Sequence, residues 1–151
     1  MATIKVNAAD VDDAQAGAGR DLVLLHSLLA DRSAFDRIVP ALAKHRRVWL
    51  VNLPGYGAST AGASTPAGAS VEDYADHIAA LLRALKLPRQ TDVLGNGLGG
   101  FIAVALACRH GDLFEHLIVA DALATFPPAG KEPLRLMAER VGVPALLEND
   151  A

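Results

Sequence analysis

Cysteine is nearly absent: Cys108 is the only one among 151 residues. A lone cysteine excludes an internal disulfide and supports no zinc cluster, so Cys108 reads as a small helix side chain that packs as a hydrophobe. Long apolar runs are missing as well. Gly, His or Arg interrupts each one well before the roughly 18 residues that a membrane span needs. The opening stretch, MATIKVNAAD, carries no apolar signal core. Charge of one sign is nowhere concentrated; the formal net charge is −3, with both signs spread along the chain. No basic block points to nucleic acid, and no polybasic run points to an anionic membrane surface. The expectation is a cytoplasmic protein with neither of those partners. No internal repeat is visible.

What is present suits one folded domain over residues 1–151. Hydrophobic residues make up 52% and charged residues 21%, a globular balance on a chain long enough to bury a core. Taken in order, Thr3 to Asn7 predicts an edge strand. Residues 8–20 are small and polar and predict a loop, with a degenerate second strand as the alternative. Asp21 to His26 and Arg47 to Leu53 predict buried strands. Between them Ser33 is a candidate N-cap for a helix running to about Lys44, with Phe35, Ile38, Val39 and Leu42 on one face and a kink or split at Pro40. Residues 58–70, rich in Ala, Gly, Ser and Thr, predict a surface loop. Ser70 caps the next helix, striped by Tyr74, Ile78, Leu81, Leu82 and Leu85. Phe114 to Ala120 predicts a fourth buried strand, and residues 131–148 predict further helical pieces. Strands and helices in alternation predict an α/β fold, a mostly parallel sheet with helices on both faces.

The densest signal lies in TDVLGNGLGGFIAVALACRH, residues 91–110. It predicts a short strand, a glycine turn and a helix, which places the turn at the carboxyl edge of a sheet where backbone N–H groups and the positive helix end face outward. Two site types use this geometry. In the nucleophile elbow, G-x-S-x-G, Gly95 and Gly99 would be the flanking glycines and Gly97 would stand at the nucleophile position. In the dinucleotide fingerprint, G-x-G-x-x-G, the match is Gly95, Gly97 and Gly100, with Asp121 as the acidic residue after the next strand. The letters alone fit both.

Three blocks in order weigh against the fingerprint: LVLLHS at 22–27, VNLPGYGAS at 51–59 and DVLGNGLGG at 92–100. Together with LIVADALA at 117–124 they resemble the α/β-hydrolase superfamily, in its order and near its spacing. The resemblance implies the N-terminal, nucleophile-bearing portion of that fold, with 127–151 starting a cap or C-terminal helical segment. It implies an esterase- or lactonase-like ancestry, no cofactor and no metal. It also implies roles. Gly97 takes the nucleophile position without a side chain; Asp121 stands where some relatives place the triad acid. The Leu28 and Leu98 amides would form the oxyanion hole, and His26, Ser27 and Asn96 would line the pocket. The sequence departs from the family pattern at His26-Ser27, where His-Gly is usual, at Asn52, where Asp is usual, and at Gly97. None of His26, His45, His77, His110 or His116 lies at the late position of the family's catalytic histidine. The implied partner is a small-molecule ligand or substrate with a carbonyl or carboxylate, and three classes stay open: an enzyme of esterase or lactonase descent, a non-catalytic binder that holds the group without covalent turnover, and a dinucleotide-binding oxidoreductase fragment. Beyond the last strand an open sheet edge predicts self-association.

Overall fold

The computed structural model describes residues 2–6, 9–57, 59 and 70–122, with side chains from residue 14 onward. Six strands form one sheet: β1 (Ala2–Val6), β2 (Ala9–Ala16), β3 (Arg20–Leu25), β4 (Arg46–Val51), β5 (Asp92–Asn96) and β6 (His116–Ala120). Their spatial order is β1-β2-β4-β3-β5-β6. The last four are mutually parallel, and β2 joins β4 antiparallel. Leu25 pairs with Val51 on one side and Gly95 on the other, so β3, β4 and β5 end at one level. The turns after these strands therefore share one edge, which is where an α/β sheet presents ligand-binding loops.

Alternation along the strands splits the core between two faces. Val23, Leu25, Val51 and Val93 point to one face, where α2 (Val71–Ala84) and α3 (Leu98–His110) cover them with Tyr74, Ile78, Leu81, Leu82, Ile102 and Leu106. Leu22, Leu24, Val48 and Leu50 point to the other, against Phe35, Val39 and Leu42. The helices thus lie on both faces. α2 starts at a capping box: the Asp73 amide donates to the Ser70 Oγ at 3.2 Å, and the Ser70 amide donates back to the Asp73 carboxylate at 2.9 Å. Two of the orphan donors of the first turn are satisfied this way, a motif worth about 1 kcal/mol.

Three expectations need correction. Residues 9–16 form a full strand rather than a loop; its backbone pairs with β4 and with β1, so ladder bonding decides the conformation where composition pointed the other way. The helix expected from Ser33 to Lys44 is a 3₁₀ turn, Arg32–Phe35, followed by a single helical turn, α1 (Val39–Leu42). Its cap is Asp31, whose carboxylate accepts from the Ser33 amide at 2.8 Å, and Pro40 sits at the start of α1, where its missing N–H costs nothing. The strand β6 is not buried: Phe114 before it is covered, but Ile118 and Val119 are 45% and 41% exposed. Among the described residues β6 has a strand neighbour on one side only. The expectations for residues 58 and 60–69 and for 127–151 lie outside the described residues.

The opposite edge of the sheet is charged. Asp92, at the start of β5, is buried and receives Arg20 Nη2 at 2.5 Å and Arg46 Nη1 at 2.9 Å, with His116 Nδ1 at 2.9 Å. Asp21, at the second residue of β3, is buried against the Arg47 guanidinium and accepts from Trp49 Nε1 at 2.7 Å. Burial alone would raise the Asp92 pKa, but the hydrogen bonds from His116 and Arg20 and the two arginine charges outweigh it and hold the carboxyl below its ordinary value. A depressed folded-state pKa gives stability that is fully present above the unfolded value, about 4, and is lost as pH falls through the lower folded value. Asp92→Asn is therefore expected to cost about 2 kcal/mol near neutral pH, since the arginines are themselves one-third exposed and screened. That cost should shrink toward zero as acidification carries the pH down through the depressed folded value, read from urea melts across pH.

Candidate active site

Gly97 follows β5 and is the N-cap of α3, with φ 55° and ψ −115°. At this positive φ only glycine enters the turn without strain. The Gly97 amide donates to the Ala120 carbonyl at 3.0 Å, and the Gly97 carbonyl accepts from the Gly100 and Phe101 amides. The Gly99 amide reaches across to the His26 carbonyl at 3.1 Å. The strand-to-helix turn is thereby bonded to the ends of both flanking strands.

Close approach fixes the neighbouring glycines. A Cβ on Gly99 would overlap the Leu25 carbonyl and lie 2.8 Å from the His26 carbonyl oxygen. A Cβ on Gly95 would overlap the Gly99 carbonyl and lie 2.6 Å from the Gly100 nitrogen. These glycines let α3 cross tightly over β3 and β5, the requirement of an elbow. Above Gly97 the space is also filled. A Cβ there would overlap Ser27 Oγ and lie 2.9 Å from Ser27 Cβ. A dinucleotide site needs that space for a pyrophosphate approaching the second glycine. The Ser27 side chain stands in it, which disfavours Gly95, Gly97, Gly100 and Asp121 as a dinucleotide fingerprint.

His26 is fully buried and both its nitrogens are engaged. Nε2 accepts from the Leu53 amide at 3.0 Å, which places the proton on Nδ1, where it is donated to the Ser27 carbonyl at 2.9 Å. Burial holds its pKa below the ordinary histidine value, and the bond to the Ser27 carbonyl only partly offsets this. A neutral imidazole with no free lone pair ties the loop after β3 to the loop after β4; it is not placed to take a proton from a nucleophile. The Tyr56 ring meets it edge-on at 5.1 Å between centroids. Asn52, buried after β4, accepts from the Arg32 amide at 2.8 Å through Oδ1, while its carbonyl accepts from Ser59 Oγ at 2.9 Å.

The structure brings Ser27, Gly97 and His26 together at one point of the sheet edge. Asn96 and Asp121 lie on the next turn along: Asn96 Nδ2 donates to Asp121 Oδ2 at 3.3 Å and to the Ala120 carbonyl at 3.4 Å. Asp121 is exposed and holds φ 54°, a left-handed conformation that Asp enters more readily than most residues. The Leu28 amide follows Ser27 on its loop and the Leu98 amide opens α3; among the described residues neither makes a backbone hydrogen bond. Also among the described residues, no group of three or more His, Cys, Asp or Glu is arranged to hold a metal, and no helix is long and apolar enough to cross a membrane.

Residues 22–145 match the family model described as the alpha/beta hydrolase fold. The chain belongs to the α/β-hydrolase-fold family. Within this family it is similar to the pimeloyl-[acyl-carrier protein] methyl ester esterase of Aeromonas hydrophila, 39% identical over 110 residues that make up 73% of this chain and 41% of that protein. It is similar to the 2-hydroxymuconate semialdehyde hydrolase of a Pseudomonas species, 35% identical over 74% of this chain and 40% of that one. Among solved structures, an esterase from Thermogutta terrifontis with malate bound superposes with a TM-score of 0.81 at 28% identity, covering 93% of this chain and 53% of that one. The chain thus spans about two-fifths of the length of those curated relatives.

Motif reading named Gly97 and Ser27 separately and missed that they compete for one volume. The signal was available: the α/β-hydrolase pattern has glycine after His26 and serine between Gly95 and Gly99, and this chain has the two residue types exchanged. Asn52 was noted only as a departure, yet it stitches two loops of the site. The overlap makes a direct prediction. Gly97→Ser should destabilise the protein by about 2–3 kcal/mol, about 1 for a side chain at positive φ and the rest for displacing Ser27. Urea unfolding checks this; a loss confined to the backbone contribution would show that Ser27 moves aside freely.

Proposed function

We propose that this chain, which carries the elbow of the α/β-hydrolase fold, binds a small carbonyl or carboxylate compound without forming an acyl-enzyme. One observation carries the reading: the position that would bear a nucleophile is Gly97, and the space its side chain would need is taken by Ser27. Covalent ester cleavage needs a nucleophile and a base that accepts its proton. Position 97 supplies no hydroxyl, and His26 has both nitrogens committed to loop contacts.

What the elbow retains is independent of side chains. The Leu28 and Leu98 amides and the positive end of the thirteen-residue helix α3 favour a partial or full negative charge on oxygen. Without a nucleophile these donors serve recognition, and the occupant is a carbonyl or carboxylate group. The malate held by the Thermogutta terrifontis esterase is a carboxylate of this kind. His26 and Ser27 shape the loop that presents Leu28, and Asn96 with Asp121 forms the polar wall beside it. Esterase- or lactonase-like ancestry accounts for the fold; the pseudoenzyme reading accounts for the residues.

The purified protein is expected to show no turnover of p-nitrophenyl acetate above background, and a fluorophosphonate probe should leave it unlabelled. Stoichiometric labelling at any serine, Ser27 included, would overturn the non-covalent reading in favour of a hydrolase with a displaced nucleophile.

A further inference from the structure

Serine and glycine are exchanged between two loops that meet at one point. The Ser27 side chain occupies the volume of a residue-97 side chain, so a hydroxyl is still present at the elbow, delivered from the loop after β3. Its placement is held by its backbone: the Ser27 carbonyl accepts from His26 Nδ1 at 2.9 Å and from the Ala30 amide at 3.3 Å. The preceding peptide is held as well, its His26 carbonyl accepting from the Gly99 amide at 3.1 Å, so the side-chain torsion is the freedom that remains, and Gly97 leaves room for it. Ser27 is half-buried, and its hydroxyl makes no hydrogen bond among the described residues.

We propose that Ser27 is a ligand-contacting residue whose hydroxyl donates to the carbonyl or carboxylate oxygen held at the elbow, and that Gly97 is the partner change that makes room for it. The inference rests on the reading of this edge as a carbonyl or carboxylate site. A serine hydroxyl donates one hydrogen bond and accepts others, so it complements a carboxylate oxygen without any bond being made or broken. A base would be required to make it a nucleophile, and the neighbouring imidazole is committed to the Leu53 amide. The exchange converts a reacting hydroxyl at position 97 into a recognising hydroxyl at position 27.

Two experiments test this. In the first, butyrate and malate are titrated separately into the ¹⁵N-labelled protein while the Leu28 and Leu98 amide resonances are followed. Both amides should shift saturably, and Ser27→Ala, which keeps the Cβ and removes only the hydroxyl, should weaken the binding about tenfold, the effect of one lost hydrogen bond, with an unchanged melting temperature. Equal affinity in Ser27→Ala would overturn this proposal and leave the carboxylate reading standing, with Ser27 a filler. No response of either amide to either compound would overturn the carboxylate reading and this proposal with it. In the second, a thermal cycle compares Gly97→Ser alone, Ser27→Gly alone and both together. The strained φ at position 97 is common to both backgrounds, so the cycle isolates the overlap. Gly97→Ser should lower the melting temperature markedly less when Ser27 is already glycine; additive losses would overturn the exchange.

Discussion

The tight crossing of α3 over the ends of β3 and β5 is the constraint on which the site depends. The Gly99 backbone lies against the Leu25 carbonyl with no room for a Cβ, and its amide bonds to the His26 carbonyl. That contact aims the first turn of α3 at the loop carrying His26, Ser27 and Leu28. A side chain at Gly95 or Gly99 would lift the helix from the sheet and part the two loops. The contact is worthwhile because the core behind it is dry: Val23, Leu25, Val93, Ile102, Ala103 and Leu106 are all fully buried under the crossing. Interiors packed at this density transmit a displacement to their neighbours.

His26 extends this rigidity to the loop after β4. One imidazole spends its acceptor on the Leu53 amide and its donor on the Ser27 carbonyl. The Leu53 amide finds its partner in this side chain, which also adds a second bond to the Ser27 carbonyl already held by the Ala30 amide. Protonation would remove the acceptor, and burial opposes protonation, so the tie is electrostatically self-consistent at neutral pH. The elbow, the β3 loop and the β4 loop therefore form one bonded unit, within which Ser27 and Gly97 face each other.

Much of the architecture could be read from the residues because it follows from periodicity. The apolar runs of β3 and β4, the Ser70 cap and the stripe of α2 each express a local rule that packing then satisfies. The elbow was readable for a similar reason, since strand, glycine turn and helix leave a dense local pattern. What escaped was non-local. The strand Ala9–Ala16 is specified by the ladder of β4, not by its own polar composition. The exposure of β6 depends on what lies beside it, which a run of apolar residues does not encode. Pro40 marked a break, but the cap of the preceding 3₁₀ turn fell to Asp31, whose carboxylate accepts from both the Ser33 amide and the Ser33 hydroxyl. Above all, the relation between Ser27 and Gly97 spans seventy positions of sequence and exists only once the sheet edge is assembled.

The account stands on the side chain of Ser27 lying over Gly97, and a proton–proton contact measures this without mutation or ligand. Nuclear Overhauser cross-peaks between the Gly97 Hα protons and the Ser27 Hβ protons should be strong in the free protein, since the Ser27 Cβ lies 2.9 Å from where a Gly97 Cβ would be. Such peaks, together with the contact between the Gly99 amide and the end of β3, are what the structure predicts. Absence of the Gly97–Ser27 peaks while the Gly99 contact persists would show an elbow with open space above it, and would contradict the exchange of serine and glycine as the feature that sets this site apart.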